Sequence, residues 1–155
     1  MGKTTAQVLV GTGGWDHEVF DECFYPEPGL ESLEKLRFYS RFFDTVEIRP
    51  TFWDDTIDEL DAARWVDAVA SNRRFQFSVK LHSSFTHRAS IDLACARTIR
   101  GLSYELGRHD CLGAILAQFP YAFTNTSAHR SHLMKLAEVF QGFPIHVELR
   151  HETWE

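Results

Sequence analysis

Five short apolar runs, each followed by a helical pattern, constrain this chain more than anything else in it. Val8–Thr12, Thr45–Phe52, Phe75–Leu81, Gly113–Pro120 and Ile145–Arg150 are rich in β-branched and aromatic residues, and the spacing predicts a strand at each. Between them apolar residues recur at helical intervals. Leu30, Leu33, Leu36 and Tyr39 form one such stripe, with Phe38, Phe42 and Phe43 expected in the core. Ile57, Leu60, Trp65 and Val69 form a second, capped by Asp54-Asp55-Thr56. Ile91, Cys95, Ile99, Leu102 and Leu106 form a third, between a Ser90 cap and Gly107. Leu133, Leu136, Ala137 and Phe140 form the fourth, opened by Ser127 and stopped by Gly142. The order βαβαβαβαβ predicts an α/β fold with a parallel sheet and right-handed crossovers.

The predicted strand starts lie 37, 30, 38 and 32 residues apart, as expected for successive βα units. Eight units of about 34 residues need about 270, the size of a (β/α)₈ TIM-type barrel. The 155 residues therefore hold about five strands and four intervening helices. The expectation is a single partial barrel domain over 1–155, the N-terminal part of a longer barrel, with Trp154 where the next helix should begin. An open sheet would expose its edges, so self-association that closes it is a further expectation.

Parallel strands are normally apolar on both faces, because helices cover both sides. Three of these strands instead alternate. Phe75, Phe77, Val79 and Leu81 oppose Gln76, Ser78, Lys80 and His82; Val46 and Ile48 oppose Glu47 and Arg49; Ile145, Val147 and Leu149 oppose His146, Glu148 and Arg150. The apolar face must meet the helices, and the polar face must look into a barrel or onto an open sheet surface. A solvent-facing antiparallel sheet with Glu–Arg pairs would alternate in the same way, but a helix follows nearly every strand here. Arg49, Lys80, His82, Gln118 and Arg150 fall late in their strands, at the carboxyl ends where parallel α/β proteins bind ligands. Glu47, Glu148, Lys80 and Arg150, if buried there, require mutual pairing.

These strand ends carry a resemblance. Gly11-Thr12-Gly13-Gly14-Trp15 with Phe24-Tyr25-Pro26, Val46-Glu47-Ile48 with Thr51-Phe52-Trp53, Phe77-Ser78-Val79-Lys80 with Thr86-His87, Leu112-Gly113 and Leu116 with Gln118-Phe119-Pro120 and Phe123, and Val147-Glu148-Leu149-Arg150-His151 with Trp154 follow one another in order. Together they resemble the YecE-like family of uncharacterised TIM-barrel proteins, over about the first five of eight βα units. The resemblance implies a (β/α)₈ barrel with its pocket at the C-terminal face and implies no agreed reaction. Likeness to metal-dependent barrel endonucleases is an analogy of fold and assigns no chemistry. The chain departs from the family pattern twice: Arg49-Pro50 stands where Asn-Ser is usual, and Gly13 where Ser is usual.

The candidate chemistry centres on Glu47, Lys80, Glu148 and His151 as catalytic residues. Glu47 and Glu148 are suited to acid–base work or metal ligation, or equally to neutralising Lys80 and Arg150. Acidic neighbours would keep Lys80 protonated, which favours anion binding over Schiff-base chemistry. Trp15, Arg49, Trp53, His82, His87, Gln118 and Arg150 are candidate ligand-binding residues, the tryptophans as walls for a flat ligand. No metal motif is present: His151-Glu152 opens an HExxH pattern that fails at Glu155. Gly11–Gly14 fits neither a dinucleotide fingerprint nor a P-loop, and no cofactor is indicated.

The expected function is an anion-binding pocket at the strand ends, with hydrolase, phosphodiesterase-like or lyase chemistry on phosphorylated or nucleic-acid-related substrates. A non-catalytic ligand-binding module is the alternative, and a fragment or half-barrel needing a partner chain is another. The expected partner is a small anionic ligand or nucleic-acid fragment. The net charge of −6 argues against non-specific binding to nucleic acid or membrane surfaces. Cys23, Cys95 and Cys111 form no CxxC pair, as expected of reduced thiols in a cytoplasmic protein. No apolar run is long enough for a membrane span, which needs about 18 residues or more. Met1-Gly2 resembles an acylation start but lacks the required Ser or Thr, Ala6 standing in its place.

Overall fold

Strand and helix alternate along a parallel sheet of strand order β1-β2-β3-β4-β5 in the computed structural model, which describes residues 7–155. Met1-Gly2 and Ala6 lie outside the described residues. The strands are β1 Gly11–Thr12, β2 Thr45–Ile48, β3 Gln76–Lys80, β4 Leu112–Gln118 and β5 Ile145–Glu148. The helices are α1 Glu18–Cys23, α2 Ser32–Tyr39, α3 Glu59–Val69, α4 Ser83–Thr86, α5 Leu93–Arg108 and α6 Ser127–Val139. This is the order of the first units of a (β/α) barrel. The sheet is not closed, since β1 and β5 each pair along one edge. Among the described residues no helix is long and apolar enough to cross a membrane.

All five expected strands form, each shorter than expected, with β4 opening one residue early at Leu112. The run predicted to extend through Phe52 stops at Ile48, because Pro50 has no N–H for a ladder. A 3₁₀ turn over Pro50–Phe52 follows instead. Two short helices, α1 and α4, add to the four expected. They lie in the β1–α2 and β3–α5 connections, where the apolar periodicity is too brief to detect.

The helix caps also fall elsewhere than expected, later at α3 and α5 and one residue before Ser127 at α6. Asp58, not Asp54-Asp55-Thr56, caps α3 by accepting from Leu60 N at 2.8 Å; Asp61 completes a capping box. Asp92, not Ser90, caps α5 through Ala94 N at 3.0 Å and Cys95 N at 3.1 Å, and α5 runs past Gly107 to Arg108. Thr126 caps α6, and Gly142, at φ +93°, takes the left-handed position that ends its last turn. Asp58→Ala should therefore lower stability by about 1 kcal/mol, and Asp54→Ala by less. Urea unfolding checks this, and equal losses would contradict the assignment.

The alternation has the predicted consequence. Val46, Ile48, Phe77, Val79, Ile115 and Ala117 are fully buried under the helices, where they meet Leu36, Tyr39, Leu102, Leu106 and Leu136. Each Val, Ile, Leu or Phe among them contributes about 1.5–3 kcal/mol of transfer free energy. On β5 the same face is covered only in part: Ile145 and Leu149 pack against the core, while Val147 is 45% exposed. Phe42, expected in the core, is 60% exposed at the end of the α2 turn, where it packs on Phe24 and Phe38.

Candidate functional site

The other face of the sheet carries the polar residues. Strand pairing sets Glu47 beside Ser78, Lys80 beside Leu116, and Gln118 beside Glu148. Period-two alternation and this register bring residues far apart in sequence to one row at the carboxyl ends of β3, β4 and β5.

A continuous chain of contacts results. Lys80 Nζ donates to Gln118 Oε1 at 2.8 Å, Gln118 Nε2 donates to Glu148 Oε2 at 2.6 Å, and Arg150 Nε donates to Glu148 Oε1 at 2.5 Å. Glu47 Oε1 lies 3.8 Å from Lys80 Nζ, an ion pair without a hydrogen bond. The two ends fix Gln118's orientation: an ammonium can only donate and a carboxylate only accept. Lys80 is held at its own strand end. Its carbonyl accepts from the buried Thr51 hydroxyl at 2.6 Å, and its ammonium stands 5.2 Å from the Phe52 ring centroid.

Electrostatics follow from these contacts. The hydrogen bond from Gln118, then that from Arg150, hold Glu148 below the usual carboxylate range, against the opposing effect of burial. Partial desolvation, then the cations Lys80 and Arg150, push His87 below the ordinary imidazole range. Its ring meets Phe52 edge-on at 4.9 Å. His87 is therefore neutral near pH 7. An unfolded chain takes up this proton near pH 6.5 and the folded chain only at lower pH. The stability His87 contributes is therefore present above pH 6.5 and lost as pH falls through the folded value. An NMR pH titration of the imidazole should show a depressed midpoint that rises in Lys80→Met; a midpoint at or above the unfolded value contradicts the placement.

The remaining candidates are dispersed. His151 lies beyond β5, its Nδ1 3.0 Å from Thr153 Oγ1 and its ring 4.7 Å from Tyr121. His82 caps α4, its Nδ1 accepting from Ser84 N at 3.3 Å. Among the described residues neither hydrogen-bonds or ion-pairs with Lys80 or Glu148, so the row brings together Glu47, Lys80, Gln118, Glu148 and Arg150 without His151 or His82. Among the described residues no three His, Cys, Asp or Glu side chains converge as a metal-ligand group.

Trp15, Arg49 and Trp53 line a separate cleft of about 460 Å³ between the β1–α1 loop and the exit of β2. Trp15 is a buried wall whose indole N–H donates to Ser32 O at 3.0 Å, while Trp53 is 63% exposed. The two departures from the family pattern touch here. A Cβ on Gly13 would stand 3.0 Å from Arg49 Cδ, so the missing side chain leaves the room that Arg49 fills.

Sequence reasoning missed Thr51 and Phe52 as supports for Lys80; the Pro50 break was the available signal. It also missed Lys35, which lies buried in α2 with its Nζ 2.5 Å from Asp16 Oδ1 and 2.8 Å from Asp21 Oδ1. Those bonds, Asp16 first, raise its pKa and pin the loop that roofs the cleft. Nothing in the helical pattern marks Lys35, because it interrupts an apolar stripe as any surface lysine might.

Comparison with known proteins accords with this architecture. A DUF72 family protein from Thermotoga maritima MSB8 matches with a TM-score of 0.73 at 25% identity, over 97% of this chain and 58% of its own. A crystal structure of a DUF72 family protein from Enterococcus faecalis V583 matches with a TM-score of 0.73 at 22% identity, over 92% of this chain and 50% of its own. A second crystal structure of the Enterococcus faecalis protein gives 0.68 at 25% identity, over 77% and 49%. The chain thus spans about half the length of the solved structures it matches. No curated protein matches it. The sequence pattern described as "Protein of unknown function DUF72" matches residues 9–155. That match covers nearly the whole chain, and the chain belongs to the DUF72 family, the YecE-like family that its strand-end motifs resemble.

Proposed function

We propose that the carboxyl ends of β3, β4 and β5 form an anion-binding pocket that acts on a phosphorylated or nucleic-acid-related substrate by hydrolysis or elimination. The observation that carries this reading is the unbroken run Lys80–Gln118–Glu148–Arg150. Lys80 commits one donor to Gln118, and Arg150 commits its Nε to Glu148. The other ammonium protons and the guanidinium η nitrogens have no protein acceptor among the described residues. They can neutralise a phosphoryl or carboxylate oxygen. Glu47, which makes no side-chain hydrogen bond among the described residues, is the carboxylate free to take a proton. Glu148, held ionised by two donors, positions the cations.

That committed state of Glu148 also favours a second reading, a binding module without turnover. One experiment separates the two. The full chain is assayed on a phosphomonoester, a phosphodiester and a short oligonucleotide, with and without Mg²⁺ or Mn²⁺, alongside calorimetric binding of inorganic phosphate. The enzyme reading expects turnover that Glu47→Gln and Glu148→Gln each reduce at least tenfold. Binding without turnover selects the module. Neither binding nor turnover overturns both.

A further inference from the structure

The cleft beside the sheet has its own unused chemistry. Arg49 and Trp53 flank the turn that begins at Pro50; Trp53 N donates to Pro50 O at 3.1 Å, which closes the turn, and the indole meets the Phe52 ring edge-on at 6.2 Å. The Arg49 side chain runs along Gly13 and makes no ion pair or hydrogen bond among the described residues. Asp16, the acid among the lining residues, is paired with Lys35 at 2.5 Å and makes no ion pair with the guanidinium. His17 Nε2 lies 2.6 Å from the Gly13 carbonyl, which can only accept, so that nitrogen carries a proton and holds the loop closed on itself. Trp15 spends its indole N–H on Ser32 and offers only ring surface. The cleft therefore presents one uncommitted cation, one exposed indole and an apolar wall. Its volume of about 460 Å³ suits a small ligand.

We propose that this cleft binds a flat ring bearing a single acidic group, with Arg49 on the acid and Trp53 on the ring. A guanidinium grips carboxylate or phosphate oxygens through paired donors, and an indole offers a stacking face to any planar ring. Arg49 is the only cation among the lining residues of a chain with net charge −6, which favours one small acid over a polyanion. The site shares no residue with the Lys80 row and does not depend on the reading given to it.

Calorimetric titration of the Lys80→Met chain, in which the row no longer competes for phosphate, with adenosine 5′-monophosphate and with benzoate tests the proposal, with adenosine and inorganic phosphate as the halves of the first and benzyl alcohol and formate as those of the second. At least one ring acid should bind tenfold or more tightly than either half. Whichever ring acid binds more tightly identifies the acid as phosphate or carboxylate. Arg49→Gln and Trp53→Ala, both at exposed positions, should each weaken that binding at least tenfold with the circular dichroism unchanged. Gly13→Ala, which pushes on Arg49 Cδ, should weaken it as well. Affinity unchanged in Arg49→Gln, or ring acids that bind no better than their halves, overturns the proposal.

Discussion

Lys80→Met should reduce the affinity of the chain for inorganic phosphate by roughly 10- to 100-fold. A hydrogen bond to a charged group contributes about 1.5–3 kcal/mol, and about 1.4 kcal/mol is a factor of ten. The ammonium is the hub of the row. It touches Gln118, stands 3.8 Å from Glu47, and caps the Phe52 ring. Its removal leaves Glu47 and Glu148 against Arg150 alone, so an arriving anion meets net negative charge. Methionine keeps the length and apolar stem of lysine, so the fold survives. Calorimetry on the two proteins checks the prediction, and equal affinities would remove Lys80 from the site.

Gly11→Ala should detach β1 from the sheet. Gly11 pairs with Thr45, and a Cβ built on it would stand 1.8 Å from the Thr45 carbonyl oxygen, which belongs to the backbone of β2 and cannot step aside. Overpacking of this kind costs about 1–3 kcal/mol, or more where the neighbour is rigid. β1 has two residues and is held further by Tyr39, whose hydroxyl accepts from Thr12 N at 2.8 Å and donates to Thr45 O at 3.1 Å. Those bonds should fail with it. Hydrogen exchange should accelerate at Thr12 and at Asp44, whose amide donates to Val10 O at 3.0 Å. Gly113→Ala on β4 is the control, since its nearest neighbour would be 3.4 Å away. Unchanged protection at Asp44 in Gly11→Ala would contradict the close approach.

The legible parts of this protein are those carried by period. Alternation along Phe75–Leu81 separated the buried face from the polar one residue by residue, and the register then joined Lys80, Gln118 and Glu148, which lie 38 and 30 positions apart. The illegible parts depend on tertiary approach. No local pattern says that Lys35 is buried between two aspartates, or that Thr51 folds back onto Lys80 O. The caps slipped because several short polar residues precede each helix, and only the three-dimensional path selects Asp58 over Asp54 and Asp92 over Ser90. Trp15 matched a pocket wall by type, and its burial came from packing on Trp65 at 5.6 Å. His151 and His82 sit near strand ends in sequence, yet each turns back to cap its own short turn.

The proposed pocket requires an anion to sit on the Lys80–Gln118–Glu148–Arg150 row. NMR of the full chain titrated with inorganic phosphate tests it most directly, through the side-chain amide of Gln118, whose two hydrogen bonds tie Lys80 to Glu148. This amide and the Lys80 ammonium should shift together, saturably and with one dissociation constant, while the exposed Met134 methyl does not move. Shifts confined to surface arginines such as Arg37 and Arg41, with the Gln118 amide unmoved, would contradict it.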